Sequence, residues 1–156
     1  MQHASPLNLH LPGEDATAAL GADLAQSLPP HAVVHLHGHL GAGKSTLARA
    51  MLRALGVTGT IRSPTYTLVE QYPLPAGGLA LHLDLYRIAD PGELEYLGLD
   101  ATDIRLWLVE WPERGQGGLP PADIEVELAI QGAGRSCGLR ARSTRGAAWI
   151  NAFSER

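Results

Sequence analysis

The sequence holds a single cysteine, Cys137, so no internal disulfide can brace the fold. It has no apolar run near the roughly 18 residues that a membrane-crossing helix needs. Its first residues lack the basic stretch and apolar core of a signal peptide, which makes the cytoplasm the expected compartment and a membrane partner unexpected. Basic residues are scarce: 12 Lys and Arg stand against 16 Asp and Glu, for a formal net charge of -4. Proteins that grip a nucleic-acid backbone unaided draw on clustered cations. DNA is therefore not expected as a ligand, and any RNA is expected to be held by a partner. The two asparagines, Asn8 and Asn151, form no Asn-Lys-x-Asp motif, which argues against a GTPase. Internal repeats and low-complexity segments are also missing.

What remains is the composition of a folded domain. With 45% hydrophobic and 18% charged residues, the 156-residue chain has the balance of a globular protein of one ordinary-sized domain spanning 1–156.

Periodicity gives the elements. Leu7, Leu9 and Leu11 alternate as in a short strand, ended by Pro12 and Gly13. A helix is expected from Asp15, with Leu20, Leu24 and Leu28 on one face, until Pro29 and Pro30 stop it. The run 32–37 reads as a strand leading into a glycine-rich turn, and 44–55 as an amphipathic helix capped by Gly56. Strands at 67–72 and 79–86 flank a turn and form a hairpin. Asp90-Pro91-Gly92-Glu93 has the residues of a capping box with proline at the first helical position, so a short helix through Leu97 follows. The apolar run 106–109 suits a strand buried on both faces of a parallel sheet. Ile124 to Ile130 and Cys137 to Ala141, joined by a turn at 132–134, read as an antiparallel pair. The expected architecture is α/β: a mostly parallel central sheet flanked by helices, with additional antiparallel strands.

The turn after the second strand carries the chemistry. Gly38-His39-Leu40-Gly41-Ala42-Gly43-Lys44-Ser45 satisfies G-x-x-x-x-G-K-[ST], between an apolar strand and an amphipathic helix. Glycines let successive backbone N–H groups turn toward a phosphate, and the helix that starts there adds its positive dipole end. Lys44 supplies a charge for the outer phosphates, and the Ser45 hydroxyl is a magnesium ligand. Magnesium also calls for a carboxylate, and two strands end in one, Asp84 and Glu110. One is expected to hold the ion directly or through water, and the other to orient or deprotonate the attacking water. Thr65, in the loop after the helix, stands where a switch segment would sense the γ-phosphate.

Two clusters receive plainer readings. His35, His37 and His39 alternate, but with no further ligand pattern they do not make a metal centre. Arg135, Arg140, Arg142 and Arg145 read as a solvated strand face.

Taken together, Gly38–Thr46, Ser63–Glu70, His82–Ile88, Asp90–Gly98 and Leu108–Pro112 resemble the bacterial TsaE family, also called YjeE, in order and spacing. The resemblance implies a cytoplasmic P-loop ATPase, dependent on ATP and magnesium. It would work with TsaB and TsaD to form threonylcarbamoyladenosine beside the anticodon of tRNAs reading codons that start with A. Its ATP cycle would support turnover of that complex, and tRNA would be met only indirectly. Carried over by motif, the nucleotide set is Glu14, Gly38, Leu40, Gly41, Ala42, Gly43, Lys44, Ser45, Thr46 and Gly134. Glu14 and the turn at Gly134 would approach the base. Ser45, Glu110 and Asp84 would serve the metal, with Glu110 as the metal-binding glutamate, while Asp84 and Thr65 take the Walker B and switch positions. The chain departs from the family at His39, where an aspartate is usual. Backbone groups make most phosphate contacts, so binding is expected to survive with an altered local charge. The rival readings are a small P-loop kinase, for which no arginine-bearing lid is evident, and a nucleotide-dependent interaction module.

Overall fold

In the computed structural model, which describes residues 6–100 and 103–154, prolines and glycines end the elements nearly where the sequence places them. Strand β1 (Leu7–Leu11) is followed by helix α1 (Glu14–Gln26), β2 (Ala32–His37) and α2 (Lys44–Ala54). Next come β3 (Val69–Pro73), β4 (Leu79–Asp84), a 3-10 turn at Pro91–Tyr96 and β5 (Ile104–Glu110). A second 3-10 turn (Pro112–Gly115), β6 (Ile124–Gln131), β7 (Gly134–Ala141) and α3 (Thr144–Ser154) complete the described chain.

All seven strands join one sheet in the order β1-β7-β6-β2-β5-β4-β3. The central four, β6, β2, β5 and β4, run parallel. Antiparallel strands close both edges, β3 on β4 at one side and β7 then β1 at the other. Register decides where chemistry can gather. Leu36 lies opposite Glu110, and Glu110 opposite Asp84, so three neighbouring parallel strands end level with one another. That carboxyl edge is where open α/β sheets place their ligands.

Two hydrophobic clusters hold the sheet. On one face Val34, Leu36, Leu106 and Leu108 pack with Leu20 and Leu24 of α1, Leu47, Met51 and Leu52 of α2, and Trp149 and Ile150 of α3. Truncating any of these fully buried leucines to alanine costs about 2–5 kcal/mol. Helices α1 and α2 cross closely at Gly21, where a Cβ would come 2.6 Å from that of Ala50. On the other face Leu81, Leu83 and Val109 are covered by Leu85, Ile88 and Leu94, from the segment around the first 3-10 turn.

Some boundaries differ from expectation. Helix α1 stops at Gln26 rather than Leu28, although Leu28 still packs against the core. Strand β3 begins at Val69 rather than 67, because the Leu68 amide bonds back to the Pro64 carbonyl and Leu68 takes a left-handed φ of 70°. Strand β4 ends at Asp84 rather than 86, because the Tyr86 amide turns to the Asp84 side chain. The expected helix after Asp90 is a single 3-10 stretch, with its capping box formed. Helix α3 was not expected. Its indole anchor, Trp149 Nε1, donates to the Leu24 carbonyl at 3.0 Å and ties the C-terminal segment to α1.

Candidate phosphate-binding site

The loop from Gly38 to Gly43 joins the end of β2 to the head of α2. Gly41 and Gly43 hold φ values of 83° and 106°, a region that a side chain with Cβ adopts only under strain. Like any helix, α2 begins with amides that lack intrahelical acceptors.

The lysine at the helix head is buried in the floor of this turn. Its ammonium donates to the Gly38 carbonyl and lies 4.0 Å over the Trp111 ring centroid. Burial lowers the Lys44 pKa, and Glu110, Asp84 and Glu113 oppose that shift. One residue on, Ser45 Oγ donates to Glu110 Oε2 at 2.9 Å. His82 Nε2 reaches the same carboxylate oxygen at 2.7 Å, and His82 and Glu110 are both buried. Asp84, level with Glu110 on the next strand, accepts the Tyr86 amide at 3.0 Å. Burial raises its pKa, the Tyr86 hydrogen bond opposes the rise, and the Glu110 charge adds to it.

Trp111 follows Glu110 directly with φ 56° and ψ 51°. A bulky residue held in that region costs on the order of 1–3 kcal/mol. The turn lays its indole across Lys44 and 4.9 Å from the Tyr86 ring.

These groups open into a cleft of about 560 Å³. Leu40, Gly41, Gly43, Lys44, Ser45 and Thr46 line it together with the strand-end carboxylates Asp84 and Glu110, and Thr65 lines it from the loop before β3. The exposed Glu14, at the head of α1, the buried Gly134 and Arg135 also line it. Gly134 is packed so tightly that a Cβ would meet the Leu11 carbonyl at 2.4 Å, which lets the β6–β7 turn close against the end of β1. Gly38 and Ala42 stand behind this surface. Gly38 gives its carbonyl to Lys44, and Ala42, itself buried, gives its carbonyl to Arg135. The His39 side chain is exposed, while its carbonyl takes the Ala42 amide at 3.1 Å.

The family model described as "Threonylcarbamoyl adenosine biosynthesis protein TsaE" matches residues 11–137, a span that includes every one of these groups. The chain belongs to the TsaE family. A relative from Haemophilus influenzae described as "tRNA threonylcarbamoyladenosine biosynthesis protein TsaE" is 43% identical over 156 residues, covering 95% of this chain and 98% of its own. Relatives of the same description from Aquifex aeolicus and Synechocystis are 39% and 44% identical, over 77% and 69% of this chain and 84% and 71% of theirs. The fold is also that of Bacillus subtilis YdiB, whose crystal structure superposes with a TM-score of 0.77 over 99% of this chain and 98% of that one, at 24% identity.

Sequence reading missed three residues that this TsaE-family chain brings to the site. His82 was legible as a polar residue interrupting an apolar strand two positions before Asp84, on the same strand face. Trp111 lies in the matching stretch Leu108–Pro112, next to Glu110, with no chemistry of its own to mark it as a site residue. In sequence Arg135 groups with the other C-terminal arginines as a solvated strand face, and the structure corrects that grouping. Arg135 and Arg140 are an odd number of residues apart on β7 and so project to opposite faces. Arg142 pairs with Glu125 at 2.8 Å, Arg145 lies 3.6 Å from Asp123, and Arg135 turns onto the phosphate loop. His37, on the far side of β2, stands 3.3 Å from Glu125.

Proposed function

We propose that this chain is the magnesium-dependent, ATP-binding and ATP-hydrolysing subunit of the assembly that forms threonylcarbamoyladenosine next to the anticodon of tRNAs reading A-starting codons. In this reading it acts in the cytoplasm, sustains turnover of the TsaB–TsaD transferase, and meets tRNA through those partners. The observation that carries the reading is the contact of Ser45 with Glu110 beneath a glycine-rich loop whose lysine points into the same cleft.

The residues suit both groups. Loop amides, the α2 head and the Lys44 ammonium favour a polyphosphate. Ser45, Glu110 and Asp84 offer oxygen donors only, the chemistry a hard magnesium ion takes. Among the described residues no three His, Cys, Asp or Glu side chains gather into a closed metal cage, so the remaining ligands would come from phosphate and water. Magnesium, when bound, would neutralise charge on the phosphate oxygens.

The chain's own side chains then divide the labour. Glu110, already joined to Ser45, takes the metal side, and His82 holds its carboxylate in that orientation. Asp84, whose proton affinity burial raises, is suited to orient the attacking water and receive its proton. Lys44 moves from the Gly38 carbonyl to the outer phosphates, exchanging one acceptor for stronger anionic ones. Thr65 faces the cleft from a segment bonded to itself, Ser63 to Thr65 at 2.7 Å, and is placed to respond to the γ-phosphate.

The test is reconstitution with TsaB, TsaD, tRNA and threonylcarbamoyl-adenylate. Repeated modification cycles are expected only with ATP and intact Lys44. Equal cycling with Lys44→Ala would end the reading.

A further inference from the structure

A phosphate loop that turns its amides toward an anion leaves its carbonyls on the outer side, where they need donors of their own. Here one side chain supplies them. Arg135 Nε donates to the Ala42 carbonyl at 3.1 Å, Nη2 to the Gly41 carbonyl at 3.1 Å, and Nη1 to the carbonyl of Gly134 at 2.9 Å. Gly41 and Ala42 sit in the loop between β2 and α2, whereas Gly134 opens β7, more than 90 residues later. One planar guanidinium therefore bridges the phosphate loop to the β6–β7 turn.

The anchor at the other end is rigid. Gly134 is buried, and its backbone is pressed against the Leu11 carbonyl and Pro12. Arg135 itself stands opposite Leu11 and Ile130 in the antiparallel ladders, so neighbouring strands fix its backbone on both sides. Its stem leaves the sheet on the same face as Cys137 and Leu139, the face on which α2 packs. Lys44 also bonds a carbonyl of this loop, at Gly38, and that bond is the one a polyphosphate would displace. Arg135 also lines the cleft, but its loop contacts are to carbonyls rather than to the amides an anion would take, so they need not break when an anion enters.

We infer that Arg135 is a positioning residue: it clamps the outer carbonyls of Gly41 and Ala42 to β7, holding the phosphate loop in its binding shape before nucleotide arrives. This rests on the nucleotide reading of the site and adds to it. Preorganisation of this kind acts on affinity, because the ordering cost is met in the free protein. Lysine cannot replace the clamp, since a single ammonium on a flexible stem cannot reach three carbonyls in one plane.

The experiment compares wild type, Arg135→Met and Arg135→Lys in the full chain. Methionine keeps most of the stem's packing, so unfolding is not the expected outcome. Two readouts are taken: hydrogen exchange of amides 39–46 without ligand, and titration with magnesium-ATP followed by steady-state hydrolysis. Both variants are expected to exchange about tenfold faster in 39–46 with β2 unchanged, as for the loss of two or three modest hydrogen bonds. KM and Kd should rise about tenfold, with kcat at saturation within about threefold of wild type. Unchanged exchange in 39–46 would overturn the inference. So would a collapse of kcat at unchanged Kd, which would make Arg135 a catalytic residue rather than a positioning one. If wild type bound no nucleotide, the proposed function would fail, and the exchange measurement would still decide on the clamp.

Discussion

The two walls of the cleft are built differently. The phosphate loop is tied from three directions: Lys44 to the Gly38 carbonyl, Ser45 to Glu110, and Arg135 to Gly41 and Ala42. The facing segment around Thr65 is held by less. Ser63 bonds Thr65 within the segment, Leu68 bonds back to Pro64, and the Tyr66 ring, 80% exposed, is met by the Arg87 guanidinium at 4.6 Å. One wall is preformed and the other has few contacts to lose. That is the arrangement expected of a site that binds an invariant phosphate group on a rigid cradle and reports its state through a responsive loop.

The largest effect is expected on the rigid side. Glu110→Ala removes the shared acceptor of Ser45 and His82, two groups that would then lack a partner, at about 1–3 kcal/mol of stability. Hydrolysis should fall on the order of 10²–10³-fold, measured at saturating magnesium-ATP. If this variant still bound ATP and partners and the complex still turned over repeatedly, the nucleotide-dependent interaction module would replace the ATPase reading.

On the responsive side a smaller, differently shaped loss is expected. Thr65→Val keeps the branched shape and removes the hydroxyl. Nucleotide affinity should change less than about threefold while partner-stimulated turnover falls about tenfold, as for a contact made only in the engaged state. Equal losses in both would place Thr65 in the rigid wall instead.

The smallest effect concerns stability. Burial raises the Asp84 pKa, so the folded protein binds that proton more tightly than the unfolded chain does. Stability is therefore lost as pH climbs from the ordinary carboxylate value of 3.8 through the raised one. Asp84→Asn can keep the acceptor for the Tyr86 amide and cannot ionise. Its Tm should match wild type at low pH and exceed it by about 1–3 °C at neutral pH in ligand-free protein, even as hydrolysis is lost. A lower Tm for the variant at neutral pH would show that the charge is favourably paired.

Much of this was legible in the sequence because each signal was local. The loop pattern, the apolar alternation of the strands and the capping box at Asp90 need only nearby residues, and the elements follow them closely. Asp84 and Glu110 were readable as strand-end carboxylates, but their different partners were not. Those depend on β4 and β5 pairing in register and on which strand lies next to β2. Arg135 was misread for the same reason. Its role follows from a chain reversal that brings β7 beside a loop more than 90 residues earlier, and no window of neighbouring residues contains that fact. Helix α3 is not legible locally because only three large apolar residues, Trp149, Ile150 and Phe153, mark its buried face, and its anchor is a carbonyl on α1.

Polyphosphate affinity should rest on the preformed loop and on one ammonium, that of Lys44. Lys44 is the only lysine in the sequence, so no neighbouring ammonium can substitute for it. Calorimetric titration of magnesium-ATP into wild type and Lys44→Ala tests this directly. Wild type should show a single site, and the variant affinity at least about a hundredfold weaker. Equal affinity in the two proteins would contradict it.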